Sequence, residues 1–187
     1  MASLLDEAVQ ALAAGGLVVY PTDTVLGLAA AAGDARAVRR LAAVKGRLDL
    51  QSVSVAVSSL EEIEPLATVR PAARGFLRRN LPGPITVLLR PSARARRSLA
   101  PSIAGGRRIG LRIPDHPVAR ELARRAGPIT ATSANLHGRP PARSVAEARA
   151  AFGRAVRVYL PARPPPSGRP STLIDLAGPR PRAIERR

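Results

Sequence analysis

A chain of 187 residues is long enough to bury a sizeable core as one domain, residues 1–187, without covalent staples. It has no cysteine, which excludes disulfides and thiolate metal sites, and its two histidines and scattered acidic residues argue against a protein-built transition-metal site. The formal charge of +17 points to anionic partners, yet the arginines run along the whole chain and aromatic side chains are nearly absent, which argues against stacking of single-stranded bases.

Ser3 and Asp6 have the spacing of an N-terminal cap for a helix over 4–14, which Gly15-Gly16 ends. A short apolar strand over 17–20 is stopped by Pro21. Asp34 can cap a helix over 35–44, whose Val38, Leu41 and Ala42 share one face. A strand follows over 53–57. Ser59 with Glu62, and Ser144 with Glu147, have capping-box spacing. Further helices are expected over 72–80, 118–125 and 145–152, and further strands over 85–89, 109–113, 129–132, 156–160 and 172–176. Residues 161–170, with five prolines and a glycine, read as a surface loop too short to separate two domains. The pattern predicts an α/β sheet domain. No apolar run approaches the roughly 20 residues that span a bilayer. The chain opens on a helix rather than a basic leader, so a cytoplasmic location is expected.

Four polar segments interrupt the apolar elements where loops gather. Pro21-Thr22-Asp23-Thr24 follows the first strand; alone it reads as a proline-initiated turn, though its hydroxyls and carboxylate could hold a polar substrate. Lys45-Gly46-Arg47 ends a helix, where cations already favour the helix dipole. Lys45 is also the one lysine among 30 basic side chains. A composition that replaces lysine by arginine elsewhere keeps it where a compact point charge is needed. Arg112 closes an apolar strand, a place where a charge is paired or contacts a ligand. Thr132-Ser133-Ala134-Asn135 follows another strand. Neither phosphate-binding glycine motif occurs, and Ser133 is not in a nucleophile elbow, with His137 beside Gly138 a poor candidate for its base. Cations, hydroxyls and an amide suit electrostatic clamping of an anionic transition state, as in transfer to phosphorus.

The segments Val19-Tyr20-Pro21-Thr22-Asp23-Thr24-Val25-Leu26-Gly27-Leu28, Lys45-Gly46-Arg47, Pro82-Gly83-Pro84-Ile85-Thr86, Gly110-Leu111-Arg112-Ile113-Pro114, Ser133-Ala134-Asn135 and Ser171-Thr172-Leu173-Ile174-Asp175 follow one another as in the YrdC-like family, which the chain resembles from about Gly15 onward. The resemblance implies an α/β fold, a single-domain twisted open sheet with a basic concave groove, of the short form without an extra C-terminal domain. It also implies threonylcarbamoyl-AMP synthase activity: L-threonine, bicarbonate or CO2 and ATP give an adenylate and pyrophosphate for the t6A modification of tRNA. The resemblance places Lys45 and Arg47 on the triphosphate and carbamate, and Thr22, Arg112, Ala131 and Ser171 on threonine, with Arg112 at its carboxylate. Ser133, Asn135 and Arg186 would contact the nucleotide. Mg²⁺ would enter with ATP, and downstream threonylcarbamoyl-transfer proteins would be partners, with tRNA or double-stranded RNA a further one.

The chain departs from the family's pattern at several places. Leu26 stands where tyrosine is common, removing a hydroxyl expected next to the substrate. Leu48, Gln51 and Ser52 replace proline, histidine or lysine, and proline after the Lys-x-Arg motif, with Gln51 expected near the amino acid. Arg108 stands where threonine is common. Two other readings remain open at this point: a carbamoyl-adenylate-forming domain, and a non-catalytic module that binds tRNA or double-stranded RNA by shape and phosphates.

Overall fold

The Ser3 hydroxyl accepts a bond from the Asp6 amide while the Asp6 carboxylate accepts from the Ser3 amide, a complete capping box that starts helix α1 at Leu4–Ala13. The structure is a computed structural model that describes residues 3–46 and 53–185. After α1 come strands β1 (Val18–Tyr20) and β2 (Gly27–Ala29), helix α2 (Ala35–Val44) and strand β3 (Ser54–Ala56). The one-turn helix α3 (Ile63–Leu66) runs into β4 (Ala67–Thr68), then α4 (Pro71–Asn80) and the long strand β5 (Ile85–Pro91). Helices α5 (Ala93–Ser98) and α6 (Pro101–Ala104) precede β6 (Ile109–Arg112), α7 (Pro117–Ala126) and β7 (Ile129–Ser133). Helix α8 (Val145–Phe152), a 3₁₀ turn at Gly153–Ala155, and strands β8 (Val158–Tyr159), β9 (Thr172–Asp175) and β10 (Arg182–Ile184) complete the chain.

The predicted helix over 35–44 and that over 145–152 stand as expected, capped by Asp34 and Ser144. The Ser144 box is half formed, because Glu147 accepts from Arg143 rather than from Ser144. The Ser59–Glu62 box does not form: Ser58 takes the Glu62 carboxylate through both its amide and its hydroxyl, and α3 begins without a side-chain cap.

All strands join one open sheet in the order β10-β9-β5-β6-β3-β7-β2-β1-β8, with β4 added on β5. The pairs β1–β8, β3–β6 and β5–β9 are parallel and the remaining neighbours antiparallel. Alternation decides what each face does. In β1, Val18 and Tyr20 pack with α1 and α7, while Val19 joins Leu41 of α2 and Phe152 of α8 on the other face. At the centre of the sheet the pattern differs. Val55, Val87, Leu89, Ile109 and Leu111 form a core with α3, α4, α5 and α6, each worth about 1.5–3 kcal/mol of burial. The residues between them, Ser54, Leu88, Gly110 and Arg112, face the opposite way and are not covered by a helix. That bare central face is where the site lies.

Candidate active site

The uncovered face floors a cavity of about 650 Å³, a size suited to a small-molecule ligand. Thr22, Lys45, Arg112, Ala131, Ser133, Asn135 and Ser171 all line it. Seven of the nine residues singled out in the sequence thus converge from five separate segments. The other two, Arg47 and Arg186, lie outside the described residues, as do Leu48, Gln51 and Ser52.

Lys45 caps the C-terminus of α2, and its side chain is only 4% exposed. The following Gly46 has φ +67°, which turns the chain away at once. The Lys45 ammonium donates to the main-chain oxygens of Ser133 and Asn135 (2.5 and 2.7 Å) and approaches Asn135 Oδ1 at 3.3 Å. Its own carbonyl accepts from the His137 amide at 2.7 Å. Asn135 in turn uses its amide group to hold the carbonyls of Leu136 and Arg139, and its Oδ1 accepts from Ser133 Oγ. The loop after β7 is thus wound around one buried cation, which sits at the cavity wall.

Arg112 enters from β6. Burial pulls its pKa below the ordinary guanidinium value, and the Asp23 carboxylate works against that shift. One terminal nitrogen pairs with Asp23 Oδ1 at 2.6 Å and the other donates to Thr24 Oγ1 at 2.7 Å. Asp23 Oδ1 also accepts from the Asp115 amide. The guanidinium keeps its Nε–H and one hydrogen on each terminal nitrogen, enough for a bidentate carboxylate. Thr22 is the turn former that the sequence suggested: its hydroxyl donates to the Val25 carbonyl at 2.6 Å and accepts from the amides of Thr24 and Val25. Thus Asp23 and Thr24 hold the arginine while Thr22 holds the turn.

Ser171 is buried and its hydroxyl meets that of Thr86 at 2.7 Å, so β5 and the segment before β9 are tied where they border the cavity. Tyr20 also borders it, fully buried, and its ring lies against Gly27. Leu26 corrects an expectation. Its neighbours Val25 and Gly27 line the cavity, but Leu26 is fully buried on the other face with Leu28, Leu41 and Ala134. Strand alternation makes its replacement of tyrosine a change in the core rather than at the substrate.

Sequence reading offered the Asp23 carboxylate and the Thr24 hydroxyl only as possible substrate contacts, where the structure sets both on Arg112, and it assigned no role to Thr86 or Ser54. The available signal was the alternation of Arg108, Gly110 and Arg112, which puts three positions on one face and asks what pairs with the buried charge. Arg108 pairs with Asp175 at 2.5 Å while remaining half exposed. His137 does reach the cavity wall, on an exposed residue whose amide is committed to Lys45.

The model of a family described as "Telomere recombination" (Sua5/YciO/YrdC) matches residues 10–187. A protein of Mycobacterium tuberculosis named a putative threonylcarbamoyl-AMP synthase is 40% identical over 178 residues, covering 95% of this chain and 81% of that protein. The threonylcarbamoyl-AMP synthase of Chromohalobacter salexigens is 38% identical, with 94% of each chain covered. Among solved structures, that of P. abyssi Sua5 complexed with L-threonine superposes with a TM-score of 0.86 at 29% identity over 99% of this chain. The match spans 55% of that protein, so this chain has about half its length.

Proposed function

The chain belongs to the Sua5/YciO/YrdC family, and from that premise we propose that it is a threonylcarbamoyl-AMP synthase, a nucleotidyl-transferring enzyme. In this reading the threonine amine adds to CO2, losing a proton to become a carbamate. A carbamate oxygen then attacks the α-phosphorus of ATP, the bond to the β-phosphate oxygen breaks, and pyrophosphate leaves. The carbamate, the threonine carboxylate and the triphosphate are all anionic, so the protein's task is to bring negative charges together and to stabilise more of them in the transition state. One observation carries the proposal: a buried lysine held by main-chain oxygens, and a buried arginine with N–H donors to spare, border the same cavity as Ser133, Asn135 and Ser171.

The roles follow from the donors. Arg112, fixed by Asp23 and Thr24, would bind the threonine carboxylate through its remaining N–H groups. Ala131 and Ser171 would border the amino-acid side, where the small Ala131 leaves room, with the Thr22 turn closing the end. Lys45, with Arg47, would meet the triphosphate and carbamate by exchanging one of its loop acceptors for a phosphate oxygen. Ser133, Asn135 and Arg186 would hold the nucleotide. Among the described residues no group of three histidines or carboxylates could hold a metal ion, so Mg²⁺ belongs to this reading as a companion of ATP's phosphate oxygens. The adenylate would pass to a transfer protein that modifies tRNA. Among the described residues no helix is long and apolar enough to cross a membrane.

The test is pyrophosphate release from ATP and bicarbonate, with and without L-threonine, together with mass detection of the product. Threonine-dependent release and a threonylcarbamoyl-AMP mass are expected. ATP binding with no threonine dependence would transfer the reading to another acyl donor, and no ATP binding at all would leave only an RNA-binding role.

A further inference from the structure

Beyond the large cavity, where the ends of β4 and β5 meet the start of β6 and the turn after β9, lies a second concavity of about 630 Å³. Its walls carry Arg90, Arg96, Arg107 and Arg108, together with Thr68 and the main chain of Ala177 and Gly178. The guanidiniums do different things. Arg96 is fixed, donating to the carbonyls of Ala104, Gly105 and Gly106, all at 3.1 Å. Arg108 is fixed by Asp175, whose other oxygen accepts from the Ala177 amide. Arg90 and Arg107 are exposed and make no hydrogen bond or ion pair with any described residue. Four guanidiniums therefore share one carboxylate, two of them held rigidly and two free to close on a ligand. Such a concave, one-signed surface concentrates multiply charged anions. Guanidinium forks suit the paired oxygens of phosphate groups. Arg108 also lines the large cavity, so the two concavities share a wall.

We propose that this second concavity is a diphosphate-binding site, taking two adjacent phosphate groups through Arg90, Arg107 and the outer edge of Arg108. The choice of diphosphate rests on the reading above, in which pyrophosphate is released in the large cavity whose wall includes Arg108. The same pair of phosphates could come from a nucleic-acid backbone, and the test separates the two sources.

Pyrophosphate is titrated calorimetrically into the full chain, first alone and then with the large cavity saturated by a non-hydrolysable ATP analogue. Pyrophosphate is expected to bind in both cases. Arg90→Ala/Arg107→Ala should weaken that second binding event at least about tenfold. Arg78→Ala/Arg79→Ala, which removes the same charge from α4, should leave it unchanged. Both pairs have exposed side chains that bond to no described residue, so the fold is expected to survive, checked by thermal melting. Complete displacement of pyrophosphate by the analogue, or equal losses in the two double variants, overturns the proposal. Binding of the analogue itself, and its loss in Lys45→Ala, reads the enzyme assignment separately. Where the analogue fails to bind, the two double variants still decide the second site. A short RNA duplex that displaces pyrophosphate from the wild type assigns the phosphates to a nucleic-acid backbone; a duplex without effect assigns free diphosphate.

Discussion

At the scale of single residues, the question at Lys45 is whether any cation would do. Two main-chain carbonyls and an amide oxygen converge on one nitrogen, a geometry that an ammonium meets and a planar fork does not. Lys45→Ala should lower the rate of pyrophosphate release by about 10²–10³, the usual effect of deleting a preorganised donor. Lys45→Arg should not restore it, and full activity in that variant would refute the point-charge argument. Asp23 makes a complementary case. Its carboxylate orients Arg112 and is not exposed to the cavity, so Asp23→Asn should raise the KM for threonine more than it lowers kcat. Removing the charge beside a buried guanidinium should also cost stability, up to about 3–5 kcal/mol in a denaturant titration. The polar part of the cavity wall was legible in the sequence because Lys45, Arg112, Ser133 and Asn135 are polar residues at the ends of apolar elements. The support behind them was not. That Asp23 belongs to Arg112, or Thr86 to Ser171, depends on segments 85 and 89 positions apart in sequence, which no local pattern reports.

At the scale of elements, β1 and β2 are only three residues each, and their pairing depends on Tyr20 lying over Gly27. A Cβ on Gly27 would stand 2.5 and 2.6 Å from two ring atoms of a tyrosine that has no exposed surface and donates to the Thr130 carbonyl. Gly27→Ala should therefore destabilise the fold by about 1–3 kcal/mol, measured by urea denaturation. Helix α7 supplies a pH-dependent element. His116 at its N-cap is buried, and burial lowers its pKa against the opposing pull of the Pro164 main chain, the Asp23 charge, the Arg163 main chain and the Asp115 charge. The folded chain thus resists a proton that the unfolded chain accepts below about pH 6.5. Stability should fall as pH drops from 7.5 to 5.5, and His116→Asn should flatten that dependence. The carboxylates with lowered pKa, Asp6, Asp34, Glu61 and Glu121, act only below their ordinary range near pH 4, so the two windows separate. A wild type with no pH dependence above 5.5 would remove His116 from the account. Elements of eight residues or more were readable from periodicity and caps, as α2 and α8 were. The elements β2, α3, β4, α5, α6 and β10 were not, since two to six residues display a period poorly, whereas strands as short as β1, β3 and β8 sit within longer apolar stretches that the sequence does show.

At the scale of the whole molecule, the charge of +17 and the site make opposite demands on salt. The surface charge is dispersed, and its exposed ion pairs, such as Arg124 with Glu121 and Arg74 with Glu64, are worth little. With nearly no aromatic residues to stack on bases, any RNA bound on this surface would be held through phosphates, and log K should fall linearly with log salt concentration. An interface of six or more phosphate contacts loses about 10³ or more in affinity between 50 and 200 mM salt. The charges that border the cavity are different, since Lys45 and Arg112 are 4% and 6% exposed, and buried charges are screened much less. Threonine-dependent pyrophosphate release should accordingly lose far less than RNA binding over the same range, while duplexes of unrelated sequence bind alike. The comparison needs only filter binding and a pyrophosphate assay in matched buffers. If instead RNA binding survives 200 mM salt and prefers one sequence, the arginines form a dedicated nucleic-acid site. A parallel collapse of turnover and RNA binding would mean that the large cavity works through the long-range field of the surface rather than through its two buried cations.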